Sequence, residues 1–297
     1  MSPRRRLTRR GVLVGAGVGA AALAAGGAGV ATGVLPGRPQ LYSRLGLDGE
    51  DGAIPDVAPG EVVSGDLVSV ARRGRRAGWS LATPPGIDAA GLPVVVVLHA
   101  RGGDHTAAFS SAGLGLDRFL AAAVADGMPP VALASIDGDD AYWHARSNGD
   151  DPGAMVLDEF LPLLADRGLD VDRLGLLGWS MGGFGALRLA GLLGAGQVSA
   201  VAALSPALWH HYDDTPSGAF DDAADFEAVT VMGRQADLDG IPVRVDCGYG
   251  DPFCPAAEDY VDGFDERPAG DFERGDHDRG YWRRLAGPQL RFVGDRL

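Results

Sequence analysis

The stretch LGLLGWSMGGFGALRLAG, from Leu174 to Gly191, constrains the fold more than any other. An apolar run suited to a buried strand ends in Gly178-Trp179-Ser180-Met181-Gly182, and a helical pattern begins at once. A chain that passes from strand to helix through one serine flanked by glycines makes a sharp turn. That turn presents the serine hydroxyl at the carboxyl end of a sheet. The chain holds 46 Gly in 297 residues, so Gly-x-Ser-x-Gly alone is weak. Its surroundings have to decide.

Those surroundings alternate strands with helices. A hairpin is expected over EVVSGDLVSV and GWSLATPP. PVVVVL, PVALASID, DRLGLLGWS, VSAVAALSP and PVRVDCGYGD are continuous apolar runs, as in strands covered on both faces. Helical patterns sit between and after them: LDRFLAAAVADG, AMVLDEFLPLLADRG (despite Pro162), GGFGALRLAGLLG, PAAEDYVDGF and YWRRLAGPQLRFV. This rhythm predicts one α/β domain over 61–297 with a mostly parallel sheet flanked by helices. The acidic stretch HHYDDTPSGAFDDAADFEAVTVMGRQADLDG reads as a lid-like insertion after a strand. Residues 38–60, rich in Gly, Pro and Asp, read as a linker.

A serine hydroxyl is a poor nucleophile without a base, and the base needs an orienting acid. On this architecture the order is serine, acid, histidine. His210, His211 and His277 follow Ser180. His277 lies in a loop before the last helix, where the base belongs, whereas His210 and His211 fall in the insertion. For the acid, Asp251, just past the end of a strand, is favoured over Asp246 within it. Two N–H donors are needed for the oxyanion. Met181, at a helix N-terminus, supplies one. The loop His99–Asp104 supplies the other. Trp179 either lines the pocket or packs the core.

VVVVLHARGGD, DAYWHARSNGDD, GWSMGGFGALRLA, CGYGDPF and GDHDRGYW together resemble the esterase family of α/β-hydrolases. That family is similar to S-formylglutathione hydrolase, to feruloyl and enterochelin esterases, and to antigen 85-type mycolyltransferases. The likeness runs from about Val62 to Val293. It implies the α/β-hydrolase fold, a Ser180–His277–Asp251 triad, and an oxyanion hole from the Met181 and Arg101 N–H groups. It also implies that Trp143 and His144 lie at the substrate-binding rim. The chain departs from the family's common His-Gly at His99-Ala100. The expected activity is that of a serine carboxylesterase acting on acyl esters. Acyl transfer to a sugar alcohol and a non-catalytic cell-envelope role are the alternatives.

Composition narrows the rest. A net charge of −14 excludes a phosphate backbone as the natural partner. The histidines lack metal-ligand spacing, and GWSMGG lacks the dinucleotide-binding Gly-x-Gly-x-x-Gly, so neither metal nor other cofactor is expected. The chain has no room for the propeller of a prolyl oligopeptidase. Five arginines within Met1–Arg10 precede an uncharged run from Gly11 to Gly37, which reads as an export signal. TRRGVLVGAG resembles a twin-arginine signal, although Val12 and Val14 stand where Phe and Lys are commoner. The run also exceeds the ~20 residues that cross a bilayer, so residues 1–37 are either a cleaved signal or an anchor. In an exported protein, Cys247 and Cys254 are expected to form a disulfide.

Overall fold

The computed structural model describes residues 41–297 except Ser43 and Leu47. The expected export segment, residues 1–37, lies outside the described residues. Eight strands form the sheet: β1 (Val62–Ser69), β2 (Arg75–Ala82), β3 (Pro93–Leu98), β4 (Ala132–Ile136), β5 (Asp170–Trp179), β6 (Val198–Leu204), β7 (Val243–Gly248) and β8 (Phe272–Glu273). Their spatial order is β1-β2-β4-β3-β5-β6-β7-β8. The β1–β2 and β2–β4 pairs are antiparallel and the others parallel. β3 pairs with β4 on one side and β5 on the other. The chain's progression across the sheet therefore reverses there, and the loops after β3 and β5 open a crevice at their carboxyl ends.

The helices are α1 (Leu116–Ala125), α3 (Met181–Leu193), α4 (Ala223–Val229), α5 (Cys254–Asp262) and α6 (Arg279–Gly294). Between β4 and β5 runs α2, composed of Pro152–Ala154, a π-helical stretch Met155–Phe160 and Leu161–Asp166. Pro162 falls in the first turn of the last piece, where its missing N–H costs least.

The valine run of β3 shows why the sheet is buried on both faces. Val94, Val96 and Leu98 join one core with α2, α3, α4 and α5, while Val95 and Val97 join the other with α1 and α6. Each fully buried valine contributes ~1.5–3 kcal/mol. A period of two thus divides one strand between two cores.

Two segments pack more closely than their composition suggests. Within the stretch read as a linker, the part from Glu50 to Val57 is laid on the domain. Gly52 N–H donates to Gly280 O at 2.8 Å, Arg284 Nη1 to Glu50 O at 2.5 Å, and Arg118 Nη1 to Val57 O at 2.7 Å. The acidic insertion is anchored to the domain. It contains α4, and Phe220, Phe226 and Leu238 are buried in the larger core. Its surface acids obscured those apolar anchors.

Candidate active site

Ser180 joins β5 to α3 at φ 55° and ψ −121°. A non-glycine residue held there stores ~1–3 kcal/mol of strain. Neighbouring backbone maintains it: Ser180 N–H donates to Leu204 O at 2.9 Å, and Ser180 O accepts from Gly183 and Ala207 N–H at 2.9 and 3.0 Å. Both flanking glycines are steric necessities. A Cβ on Gly178 would overlap the Gly182 carbonyl, and one on Gly182 would overlap the Leu98 carbonyl. The first turn of α3 can therefore sit directly against the end of β3.

The side chain of Ser180 lies 2.9 Å from His277 Nε2, and His277 Nδ1 lies 2.7 Å from Asp251 Oδ2. Asp251 is fully buried in the turn after β7, and its Oδ1 accepts the Phe253 N–H at 2.8 Å. His277 sits between β8 and α6. Its N–H donates to Asp276 Oδ1 at 2.7 Å, while Asp278 caps α6 by accepting from Tyr281 N–H at 2.9 Å. Burial holds the Asp276 carboxyl above the ordinary aspartate range. Phe253 and Trp282 each meet the imidazole edge-on, with ring centroids 5.0 Å away.

Asp246 makes a different set of contacts. Arg244 grips it with two bonds of 2.7 Å, Gln289 Nε2 donates at 2.6 Å, and Asp271 N–H at 2.9 Å. It does not reach His277. His210 is exposed, with Nε2 2.9 Å from Asp259 Oδ2, and the His211 ring lies tilted beside it at 6.4 Å.

Among the described residues, no protein acceptor takes the N–H of Met181 or Arg101. The two residues after Arg101 are occupied: Gly103 N–H donates to Ala100 O at 3.0 Å, and Gly102 N–H to Asp140 Oδ1 at 2.6 Å. A cavity of about 460 Å³ opens beside this loop, lined by Arg101, Asp104, Trp179, Arg279 and Trp282 among others. Trp179, 3% exposed, both packs in the core and faces this cavity.

Trp143 and His144 do not lie at a rim. Both are 0% exposed. Trp143 packs edge-on against His99 at 5.1 Å, between Gly138 and Gly185, whose missing side chains leave room for the indole. His144 stacks on Phe220 at 5.3 Å, with Nε2 3.2 Å from Ala219 O and Nδ1 2.9 Å from Ala145 O. It ties the loop after β4 to the insertion. Burial pushes its pKa down.

The cysteines are likewise corrected. Cys247 and Cys254 are free, buried thiols rather than a disulfide. Burial, with the neighbouring Cys254 next, pushes the Cys247 thiol well up. Among the described residues no group of three His, Cys, Asp or Glu side chains is placed to hold a metal ion.

The model of a family described as "Putative esterase" matches residues 71–290. The chain belongs to this family. It is an ester-hydrolysing enzyme on an α/β-hydrolase fold. No curated protein matches the sequence. Among solved structures, a ferulic acid esterase is 20% identical with a TM-score of 0.68, the match covering 81% of this chain and 100% of that one. An S-formylglutathione hydrolase from Agrobacterium tumefaciens is 17% identical at 0.65, covering 84% and 98%. The enterobactin esterase of Shigella flexneri is 19% identical at 0.59, covering 82% and 59%. At these identities the likeness is one of fold.

Sequence reading missed three members of the site. Phe253 and Trp282 stand two residues after Asp251 and five after His277, so nearness in the chain was an available signal. Asp140 gave none, because its partner Gly102 lies 38 positions away.

Proposed function

We propose that the enzyme is an exported serine carboxylesterase in which Ser180, His277 and Asp251 act as a catalytic triad. The observation that carries this is the continuous chain Ser180 Oγ–His277 Nε2 and His277 Nδ1–Asp251 Oδ2, at 2.9 and 2.7 Å, starting from a serine in a strained turn. Asp251 accepts from Nδ1–H and so fixes the tautomer whose bare Nε2 faces the hydroxyl.

Ser180 Oγ attacks the ester carbonyl while its proton passes to His277 Nε2. Charge develops on the carbonyl oxygen, which the Met181 and Arg101 N–H groups receive. As the tetrahedral intermediate collapses, His277 returns the proton to the departing alcohol and leaves an acyl-serine. A water molecule, deprotonated by His277, then releases the acid and restores Ser180. The cavity beside Trp179 and Trp282 is placed to hold one arm of the ester. Export rests on the basic and then uncharged character of residues 1–37.

A fluorophosphonate probe is expected to label wild-type protein at Ser180. Ser180→Ala should abolish labelling and lower p-nitrophenyl acetate turnover by about four to six orders of magnitude. Turnover surviving in Ser180→Ala refutes the triad.

A further inference from the structure

We infer that Asp140 is a positioning residue for the oxyanion hole, acting by fixing the loop that carries the Arg101 N–H; this rests on the triad reading above. The loop 99–105 after β3 and the loop 137–140 after β4 are stitched at three points. Gly138 N–H donates to His99 Nε2 at 2.9 Å, His105 N–H to Asp137 Oδ1 at 2.5 Å, and Gly102 N–H to Asp140 Oδ1 at 2.6 Å. The last contact is the one next to Arg101. It is short and charge-assisted, the kind of bond that fixes a peptide plane. Asp140 Oδ2 also stands 3.6 Å from Arg101 Nε, so one carboxylate holds both the backbone and the side chain of the loop.

The loop needs such a hold. Gly102 adopts φ +72°, where a glycine has wide freedom. Asp140 is itself anchored. Its neighbour Asp139, at φ 48°, accepts from the buried Arg72 at 2.8 Å, and Arg72 is paired to Asp150 at 2.6 Å. The guanidinium thus fixes the strand-proximal loop, the loop aims the Asp140 carboxylate, and the carboxylate fixes Gly102. The Arg101 N–H, next to the held peptide, is left without a protein acceptor, as a donor for the intermediate must be.

The test uses Asp140→Ala and Asp140→Asn in the otherwise intact protein. Asparagine keeps an oxygen that can accept the Gly102 N–H; alanine does not. With p-nitrophenyl acetate, Asp140→Ala is expected to lower kcat about 10- to 100-fold with little change in KM, since a donor that drifts is missed chiefly in the transition state. Inhibition by phenylboronic acid, which forms a tetrahedral adduct on serine, should weaken in the same proportion. Asp140→Asn should restore most of both. The side chain is 53% exposed, so neither variant should melt far from wild type. Should the alanine variant fold poorly, Asp140→Glu, which displaces the carboxylate by one methylene, is expected to lower kcat in its place. Wild-type kcat in Asp140→Ala overturns the assignment. So does an equal loss in Asp140→Asn, or a change confined to KM. Failure of the triad reading would show separately, as turnover in Ser180→Ala.

Discussion

Asp246 and Asp251 stand five positions apart, both fully buried, and their partners separate their roles. Asp246 neutralises Arg244 and receives Gln289, so it joins β7 to α6. Asp251 receives His277. Asp251→Asn is therefore expected to lower kcat by about three to four orders of magnitude, because the amide favours the wrong imidazole tautomer. Its melting temperature should stay near wild type. Asp246→Asn should do the reverse: kcat within a few-fold, but a loss of about 3 kcal/mol as the largely covered Arg244 guanidinium loses its counter-charge. Esterase assays and thermal melts on the pair decide between them. Comparable kcat in both variants would contradict the contacts described. Asp251 was legible in the sequence because it follows the end of an apolar run. Trp143 and His144 misled because an aromatic and an imidazole in a loop after a strand look the same whether they face substrate or core. Only the absent side chains of Gly138 and Gly185 reveal that the indole is received inward.

Elements were read correctly where pattern and length agree. β3 is continuous in valine, and the β5–turn–α3 unit changes period within a few residues. β8 has two residues and no pattern to show. The π-helical stretch Met155–Phe160 differs from α-helix only in which carbonyl each N–H finds, and side-chain periodicity does not report that. The strap from Gly49 to Gly60 was hidden by its own composition. Its glycines, which suggest a tether, permit close seating: a Cβ on Gly52 would overlap the Arg284 backbone. Gly52→Ala is thus expected to destabilise the fold by ~1–3 kcal/mol, a drop of several degrees in melting temperature. An unchanged melt would mean the strap does not hold α6.

At the scale of the molecule, two buried imidazoles tie stability to pH. Burial lowers the pKa of His99 and of His144. In the unfolded chain a histidine titrates near 6.5. Below that value the unfolded state takes up protons that the folded state refuses, so stability must fall as pH drops. Asp117 and Asp276, whose carboxyls burial raises, act in the opposite direction nearer the acid range. The melting temperature is expected to be lower at pH 5.5 than at pH 7.5 (values set about one unit either side of 6.5). His144→Asn should narrow that gap. An equal or higher melt on the acid side would show that these imidazoles do not govern the response.

The position of His277 in the chain has one more consequence. The serine and both proposed oxyanion loops lie before Gly183 and the contacts that hold the turn are present by Ala207, but the proposed base arrives with the loop that introduces α6. That helix packs against β5, β6, β7 and α1. Until it docks, the chain holds a hydroxyl with nothing to remove its proton. On the proposed triad, a nascent or partly folded molecule stays chemically silent toward the acyl groups around it, and the onset of reactivity coincides with closure of the second core.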